Sequence, residues 1–543
     1  MPEYLSPGVY IEELPGPKPI EGVGTSTGAF VGIAEKGPVN SPQLITNMTQ
    51  FQDTFGGFLP FAFLAYGVQQ FFTEGGTRCY VTRVFKPSAN TPNADVSKFE
   101  LRTADDLVST IVMTVFAASP GKWGDSVSVK ASAVTFPPDP NKFNLTVFVK
   151  DSATGNDVVV ETFEGLSMAE FDSTGLFPNP DHVERRINGV SKYIFVVDAS
   201  TNAATITPPA FTTNPKKLTG GGNGMSPGTT AASNIVPNDL IGAVASSTAP
   251  ASGIFAFDAV DDINIVAIPD LVLPAFAAAD TRAAINAGMS YCEKRKDCFY
   301  VADTRSGLSP QDALNFKRAL SPFTGNAFTS KFAALYYPWI FVTDPITGKA
   351  KLSPPSGAVA GAYAYSDARV GVHKAPAGID DGYLNSAVDI ERIVTTGEQD
   401  ILNPAGVNVI RKFADAGIVI WGARTVSSDP EWKYVNVRRL FNFLEESILK
   451  GTQGVVFEPN DRSLWKRIIR DVSAFLRIQW SEGKLVGDKP EKAFFVKCDE
   501  ETNPPESVDL GRVITIIGVA PSKPAEFVIF RIKQTRAGGD VSE

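Results

Sequence analysis

Near each end of this chain lies a short strand-forming run that its sequence neighbours are ill placed to pair. At the start, Val9-Tyr10-Ile11-Glu12-Glu13-Leu14 is fenced by Pro7-Gly8 before it and by Pro15-Gly16-Pro17 after it. Pro15, Pro17 and Pro19 make the segment behind this run a stiff, extended spacer. Toward the other end, Pro521 and Pro524 set apart a second apolar run, Phe527-Val528-Ile529-Phe530-Arg531-Ile532. An isolated strand exposes unpaired backbone donors and acceptors, which is an aggregation hazard unless a partner sheet is provided. In a strand at Val9–Glu12, Val9 and Ile11 face one side, Tyr10 and Glu12 the other.

The body between these runs is large. At 543 residues the chain exceeds one ordinary core, so two to four domains are expected. Hydrophobic residues make up 43% and charged residues 20%, which fits a folded chain rather than a disordered one. A net charge of -9 argues against nucleic acid as a direct partner. The four scattered cysteines, Cys79, Cys292, Cys298 and Cys498, suggest neither a metal framework nor a disulfide scaffold, and fit folding in a reducing cytoplasm. The opening MPEYLSPGVYIEE lacks the basic start and apolar run of a secretory signal. The most apolar stretch, Phe58 to Phe72, is too short for a membrane span and carries Gln69 and Gln70, so Phe61–Phe72 reads as a buried helix.

Periodicity divides the body. Residues 25–85 read as strand, turn, two helices and strand, with strands at Ala29–Ala34 and Cys79–Val84. From about 88 to 250 short alternating runs dominate (126–134, 143–150, 157–165, 193–200), the mark of an all-β insert. The stretch 218–234, with GGGNG at 220–224, reads as a flexible polar loop. From 253 strands and helices alternate: Ile263–Ile268, a helix over 278–296, Phe299–Ala302, a helix from Ser309 to about Leu320, and Phe332–Tyr337. That alternation predicts a parallel sheet covered by helices. A small-residue helix comes next, within 354–378. Asp429-Pro430 is read as the start of a helix running to Lys450, with Val437, Leu440, Phe441, Leu444 and Ile448 as its apolar stripe. A second helix begins near Asn460-Asp461, and two strands come after it at Ala493–Lys497 and Arg512–Val519.

The search for chemistry returns little. His182 sits in DHVERR and reads as a surface residue, His373 in a glycine-proline loop, and neither accompanies a nucleophile motif. Asp258, Asp261, Asp262 and Asp270 flank a buried strand and read as turn and capping residues rather than a cation site. GGGNG lacks the lysine and hydroxyl of a phosphate loop. No catalytic, cofactor-binding or metal-binding residue is assigned.

The blocks YLSPGVYIEE, TSTGAFVGIAEKGP, QFQDTFGGF, FFTEGGTRCYVTRV, AASPGKWGDSVSV, LTGGGNG, DINIVAIPD, NPAGVNVIRKF, IVIWGARTV and YVNVRRLFNFLEESI run in order along the chain. Their series resembles the contractile tail sheath proteins of phages and of phage-tail-like injection systems. The resemblance implies a multidomain α/β (α+β) fold with inner α/β domains, terminal strand-donating arms and an outer β-rich inserted domain. The expected layout is an N-terminal arm at 1–22, core at 23–88, the insertion at 89–250, core again at 251–400, a tube-facing domain at 401–521 and a C-terminal arm at 522–543.

It further implies a non-enzymatic structural subunit without cofactors. Copies would form stacked hexameric rings in a helical polymer around an inner tube protein, with baseplate and terminator or cap proteins at the ends. No nucleic acid or membrane would be contacted directly, and assembly would occur in the bacterial cytoplasm. Val9, Tyr10, Ile11 and Glu12, and Phe527, Val528, Ile529, Phe530, Arg531 and Ile532, would be the exchanged strands. Lys466, Arg467 and Arg470 are the candidates to face the tube. The competing readings are a subtilisin-like α/β hydrolase, and a non-contractile coat or adhesin protein built on the insert.

Overall fold

The computed structural model describes residues 20–89, 91, 93–104, 109–151, 154–172, 176–199, 207–229, 234–527 and 529. The chain divides into two compact units. One comprises Thr25–Ala368 and Pro376–Lys433; the other takes the described residues up to Gly24, together with Arg369–Ala375 and those from Tyr434 onward.

The larger unit is built on an eight-stranded sheet. Its order is Gly417–Ile420, Val407–Phe413, Ala333–Tyr337, Phe299–Asp303, Ile265–Ala267, Gly28–Gly32, Cys79–Arg83 and Gln43–Ile45. The six inner strands are parallel, and the outermost strand at each edge is antiparallel. Gly28–Gly32, Phe299–Asp303 and Ala333–Tyr337 are buried along their whole length, as parallel strands covered on both faces must be.

Helices Leu64–Thr73 and Ser356–Arg369 approach closely enough to need glycine. A Cβ on Gly357 would lie 2.4 Å from Gly67 O, and one on Gly361 would lie 2.6 Å from Phe71 O. That close approach explains the run of small residues in the second helix. The Phe61–Phe72 expectation holds from Leu64 onward, whereas Phe61 itself is exposed.

Two buried carboxylates, one at the end of a parallel strand and one just past the end of another, hold helix N-termini. Asp270 accepts the N–H of Ile33 at 2.7 Å through Oδ2 and that of Phe63 at 2.5 Å through Oδ1, tying one strand to the start of the Leu64 helix. Asp303 accepts the N–H of Ser356 at 2.8 Å, at the start of the small-residue helix. Burial pushes Asp270 up to about 6 and Asp303 to about 7, against the pull of those hydrogen bonds.

Within the stretch read as all-β, two antiparallel sheets share one core. Strand Lys142–Lys150 shows the alternation directly: Phe143, Leu145 and Val147 are buried, while Asn144, Thr146 and Phe148 are partly exposed. Two expectations fail here. His182 is buried, not superficial, with Nε2 3.1 Å from Asp198 Oδ2. It precedes the Val183–Ile187 turn, whose two apolar ends enter the core and draw the histidine inward. The GGGNG loop is pinned rather than free. Gly221 N–H donates to Asp125 Oδ1 at 3.0 Å, Gly222 N–H to Asp95 O at 3.0 Å, and Asn223 Oδ1 accepts from Lys122 N–H at 3.0 Å. A Cβ on Gly221 would lie 2.3 Å from Ser97 Oγ and one on Gly222 2.1 Å from Asp95 Oδ1, so these two glycines serve close packing.

Candidate assembly interface

The smaller unit holds the surfaces on which a neighbour could build. Its scaffold is a pair of helices, Val435–Gly451 and Arg462–Ser481. The first starts later than Asp429-Pro430 suggests. Asp429 Oδ1 accepts from Glu431 N–H at 2.9 Å but caps only the turn Pro430–Trp432, and the extended backbone of Tyr434 (φ -105°, ψ 137°) delays the helix to Val435. Its buried stripe includes Phe443 in place of Phe441, which is only half-buried. Phe443 packs 6.1 Å from Phe475, centroid to centroid, and against Gly22, where a Cβ would lie 2.9 Å from its ring. The second helix opens as read: Asp461 Oδ1 accepts the N–H groups of Ser463 and Leu464, both at 2.9 Å. Its Trp465, Ile468, Val472, Phe475 and Leu476 form the core.

The root of the N-terminal segment belongs to this core. Ile20 is buried against Gly451, and Val23 N–H donates to Ser447 Oγ at 3.1 Å. Sequence reading assigned Ile20 to the arm's proline-rich linker, because it comes after three prolines and shows no periodicity of its own.

A two-stranded antiparallel ribbon, Phe494–Lys497 with Ile516–Val519, lies on the helices. The second strand is shorter than read. Its expected beginning is held by side chains instead: Asn460 donates to Arg512 O at 2.9 Å, and Asn503 both donates to Ile514 O at 3.0 Å and accepts from Ile514 N–H at 2.6 Å. Phe494, Val496, Ile517 and Val519 face the core. Phe495, Lys497, Ile516 and Gly518 form the outer face, where the ring of Phe495 covers Gly518.

Register shows what the ribbon leaves open. Ala520 N–H donates to Ala493 O at 2.8 Å, so residues of even number on the second strand point at the first. Beyond Val519 the same side is continued by residues 484–486, through Val486 N–H to Ala520 O at 2.8 Å and Ser522 N–H to Lys484 O at 3.2 Å. On the opposite side no described strand is paired. Among the described residues, the N–H and C=O groups of Thr515, Ile517 and Val519 make no backbone hydrogen bond outside the ladder. A ribbon of two strands is marginal by itself, and this one offers an edge long enough for one more strand. By contrast, both edges of the eight-stranded sheet are blunted. Gln50 donates to Leu44 O at 3.0 Å and accepts from Thr46 N–H at 2.9 Å at one edge, and Leu384 N–H donates to Ile418 O at 2.9 Å at the other.

Of the expected strand residues, Val9, Tyr10, Ile11 and Glu12 lie outside the described residues, as do Val528, Phe530, Arg531 and Ile532. Phe527 and Ile529 are exposed and not in a strand. On the Arg462–Ser481 helix, Lys466 and Arg470 share an exposed face with Arg462 and Arg477, at helical spacing. Arg467 turns away from that face toward Glu458, 3.6 Å distant. Arg470 is partly neutralised by Asp471 at 2.9 Å. Arg477 was missed in the sequence, although its spacing from Lys466 and Arg470 could have found it.

Comparison with known proteins places these features in a family. A profile described as the phage tail sheath protein central domain matches residues 249–426, and one described as the phage tail sheath C-terminal domain matches 427–535. The tail sheath protein of Vibrio phage KVP40 is 24% identical over 313 residues, covering 53% of this chain and 45% of that protein. A putative prophage major tail sheath protein of Pseudomonas aeruginosa (strain UCBPP-PA14) is 29% identical over 215 residues, covering 38% of this chain and 53% of the relative. The chain thus spans about half the length of the curated relatives it matches. In fold it is similar to the sheath tail protein of Listeria innocua (TM-score 0.58, 13% identity, 93% and 96% of the two chains). It is also similar to the PVC sheath complex of an extracellular contractile injection system in the contracted state (TM-score 0.56, 21% identity, 98% and 99%). With two profiles of one family in tandem over residues 249–535, the chain belongs to the phage tail sheath family.

Proposed function

We propose that this chain is the repeating subunit of a contractile sheath, polymerised helically as stacked hexameric rings around an inner tube and shortening to drive that tube through a target envelope. The observation that carries the reading is the bare edge at Thr515, Ile517 and Val519, in a chain with two proline-fenced strands to donate. Strand addition satisfies both sides, and a contact between unlike surfaces propagates into a filament instead of closing on itself. The stiff spacer after Glu12 lets the rigid units rotate while the strand pairs persist. Baseplate and terminator proteins would cap the polymer, which would assemble in the bacterial cytoplasm and need no enzymatic step of its own.

In this reading the stripe of Lys466, Arg470 and Arg477 faces an acidic tube, and the β-rich stretch at 89–250 faces outward. A polar, solvated contact of that kind holds the extended state weakly enough to release. Negative-stain microscopy of particles from producing cells tests both parts. Wild-type chain is expected to give striated cylinders around tubes, and Lys466→Glu with Arg470→Glu and Arg477→Glu to give cylinders that are mostly empty. Absence of cylinders from wild type would refute the sheath, and filled cylinders from the triple variant would refute the tube-facing stripe.

A further inference from the structure

The turn between the helices Val435–Gly451 and Arg462–Ser481 carries a feature that the strand exchange does not use. Phe457 has φ +69°, the left-handed region that bulky side chains rarely occupy. Its side chain is fully exposed (103%), and Val456 next to it and Leu449 in the last turn of the preceding helix are each 61% exposed. Asparagine or glycine would fit this backbone without strain and without presenting a ring to water. A strained residue that also exposes apolar area costs the isolated subunit twice, and such costs mark sites that are completed by a partner.

The turn is rigid. Val455 N–H donates to Thr452 O at 3.0 Å, Val456 N–H to Gln453 O at 3.2 Å, and Glu458 N–H to Val455 O at 3.2 Å. On the far side, Trp465 Nε1 donates to Asn460 Oδ1 at 2.9 Å and Asp461 caps the next helix. The ring is therefore held out on a preorganised support, as an anchor residue is.

We propose that the Val456–Phe457 knob seats in a second copy of this chain within the polymer. The inference rests on the sheath reading above and adds a specific anchor to it. One observation selects a second copy over the tube: Ile20, where the described chain begins, is packed against Gly451 at this end of the helix pair, so the segment proposed to reach a neighbouring copy is rooted beside the knob.

The test is Phe457→Asn, with Phe457→Trp as a variant that keeps an aromatic anchor. Purified wild type, F457N and F457W are compared by sedimentation across a concentration series and by thermal unfolding. F457N is expected to keep or raise the Tm by about 1–3 °C, because the strain is relieved. It is also expected to raise the concentration needed for polymerisation tenfold or more, with F457W close to wild type. Polymerisation of F457N at the wild-type concentration overturns the proposal, as does a normal F457N cylinder that has merely lost its tube. A fall in F457N Tm by several degrees overturns it too, since the ring would then be part of the fold. If wild type itself stays monomeric under all conditions, the sheath reading fails, and this inference with it.

Discussion

A chain lacking residues 1–19 is expected to fold with an unchanged Tm and to lose polymerisation, its critical concentration rising at least a hundredfold. The cut must stop before Ile20. That side chain is buried in the helical core beside Gly451, and removing it would leave a cavity costing roughly 2–5 kcal/mol. If Val9–Glu12 is donated as proposed, its removal costs the monomer nothing comparable but deprives the polymer of a strand's worth of backbone hydrogen bonds at each repeated contact. A cut after Glu526 should behave the same way, because Phe527 and Ile529 are exposed in the subunit. Analytical ultracentrifugation together with thermal scans separates the outcomes. Normal polymers from either truncation would contradict strand donation, and a large loss of Tm would show the arms to be part of the fold.

Asp270→Ala is expected to destabilise the larger unit by about 3–5 kcal/mol, at the upper end of what a single substitution does. It leaves the N–H groups of Ile33 and Phe63 without an acceptor and removes the link between a central strand and the Leu64 helix.

The same residue gives the unit a distinctive pH profile. Asp270 titrates near 6 and Asp303 near 7 in the folded chain, against 3.8 when unperturbed. Between about pH 4 and 7 the folded state then binds more protons than the unfolded state, so stability rises as pH falls. From about pH 7.5 to about pH 5.5 the gain is roughly 2–3 kcal/mol, and Asp270→Asn with Asp303→Asn should flatten it. Urea titrations at the two pH values measure this directly. A wild-type stability that falls over this interval would contradict the assignment.

How far the sequence disclosed these features depended on whether each signal was local. Strands such as Phe299–Asp303 and Ala333–Tyr337 announced themselves as apolar runs, and the Arg462–Ser481 helix by its cap and stripe. The start of the preceding helix did not, because Asp429-Pro430 has every local mark of a helix start, and only the backbone at Tyr434 breaks it. His182 looked superficial among charged neighbours, since the apolar contacts of Val183 and Ile187 that bury it come from distant strands. For Asp270 the role in joining two segments more than two hundred residues away in sequence could not be read from spacing at all. The proposed assembly starts from two proline-fenced apolar runs that the sequence shows, but its details are not legible there. The open ribbon edge depends on the register between Phe494–Lys497 and Ile516–Val519, and the knob at Phe457 on a backbone angle.

Strand exchange between subunits is the central claim, and a cysteine scan measures it most directly. One set of chains would carry Val9→Cys, Tyr10→Cys, Ile11→Cys or Glu12→Cys; a second would carry Ile516→Cys, on the outer face of the ribbon strand that has the open edge. The native cysteines Cys79, Cys292, Cys298 and Cys498 are buried, which keeps the background low. Because the two cysteines sit on different chains, every cross-link in a mixed polymer is between subunits. Neighbouring strands bring side chains of one face to within about 4.5–5.5 Å, with a period of two. Strong cross-linking at alternate arm positions, Val9 with Ile11 or Tyr10 with Glu12, is the predicted result; uniform or absent cross-linking in polymers that nevertheless form would contradict it.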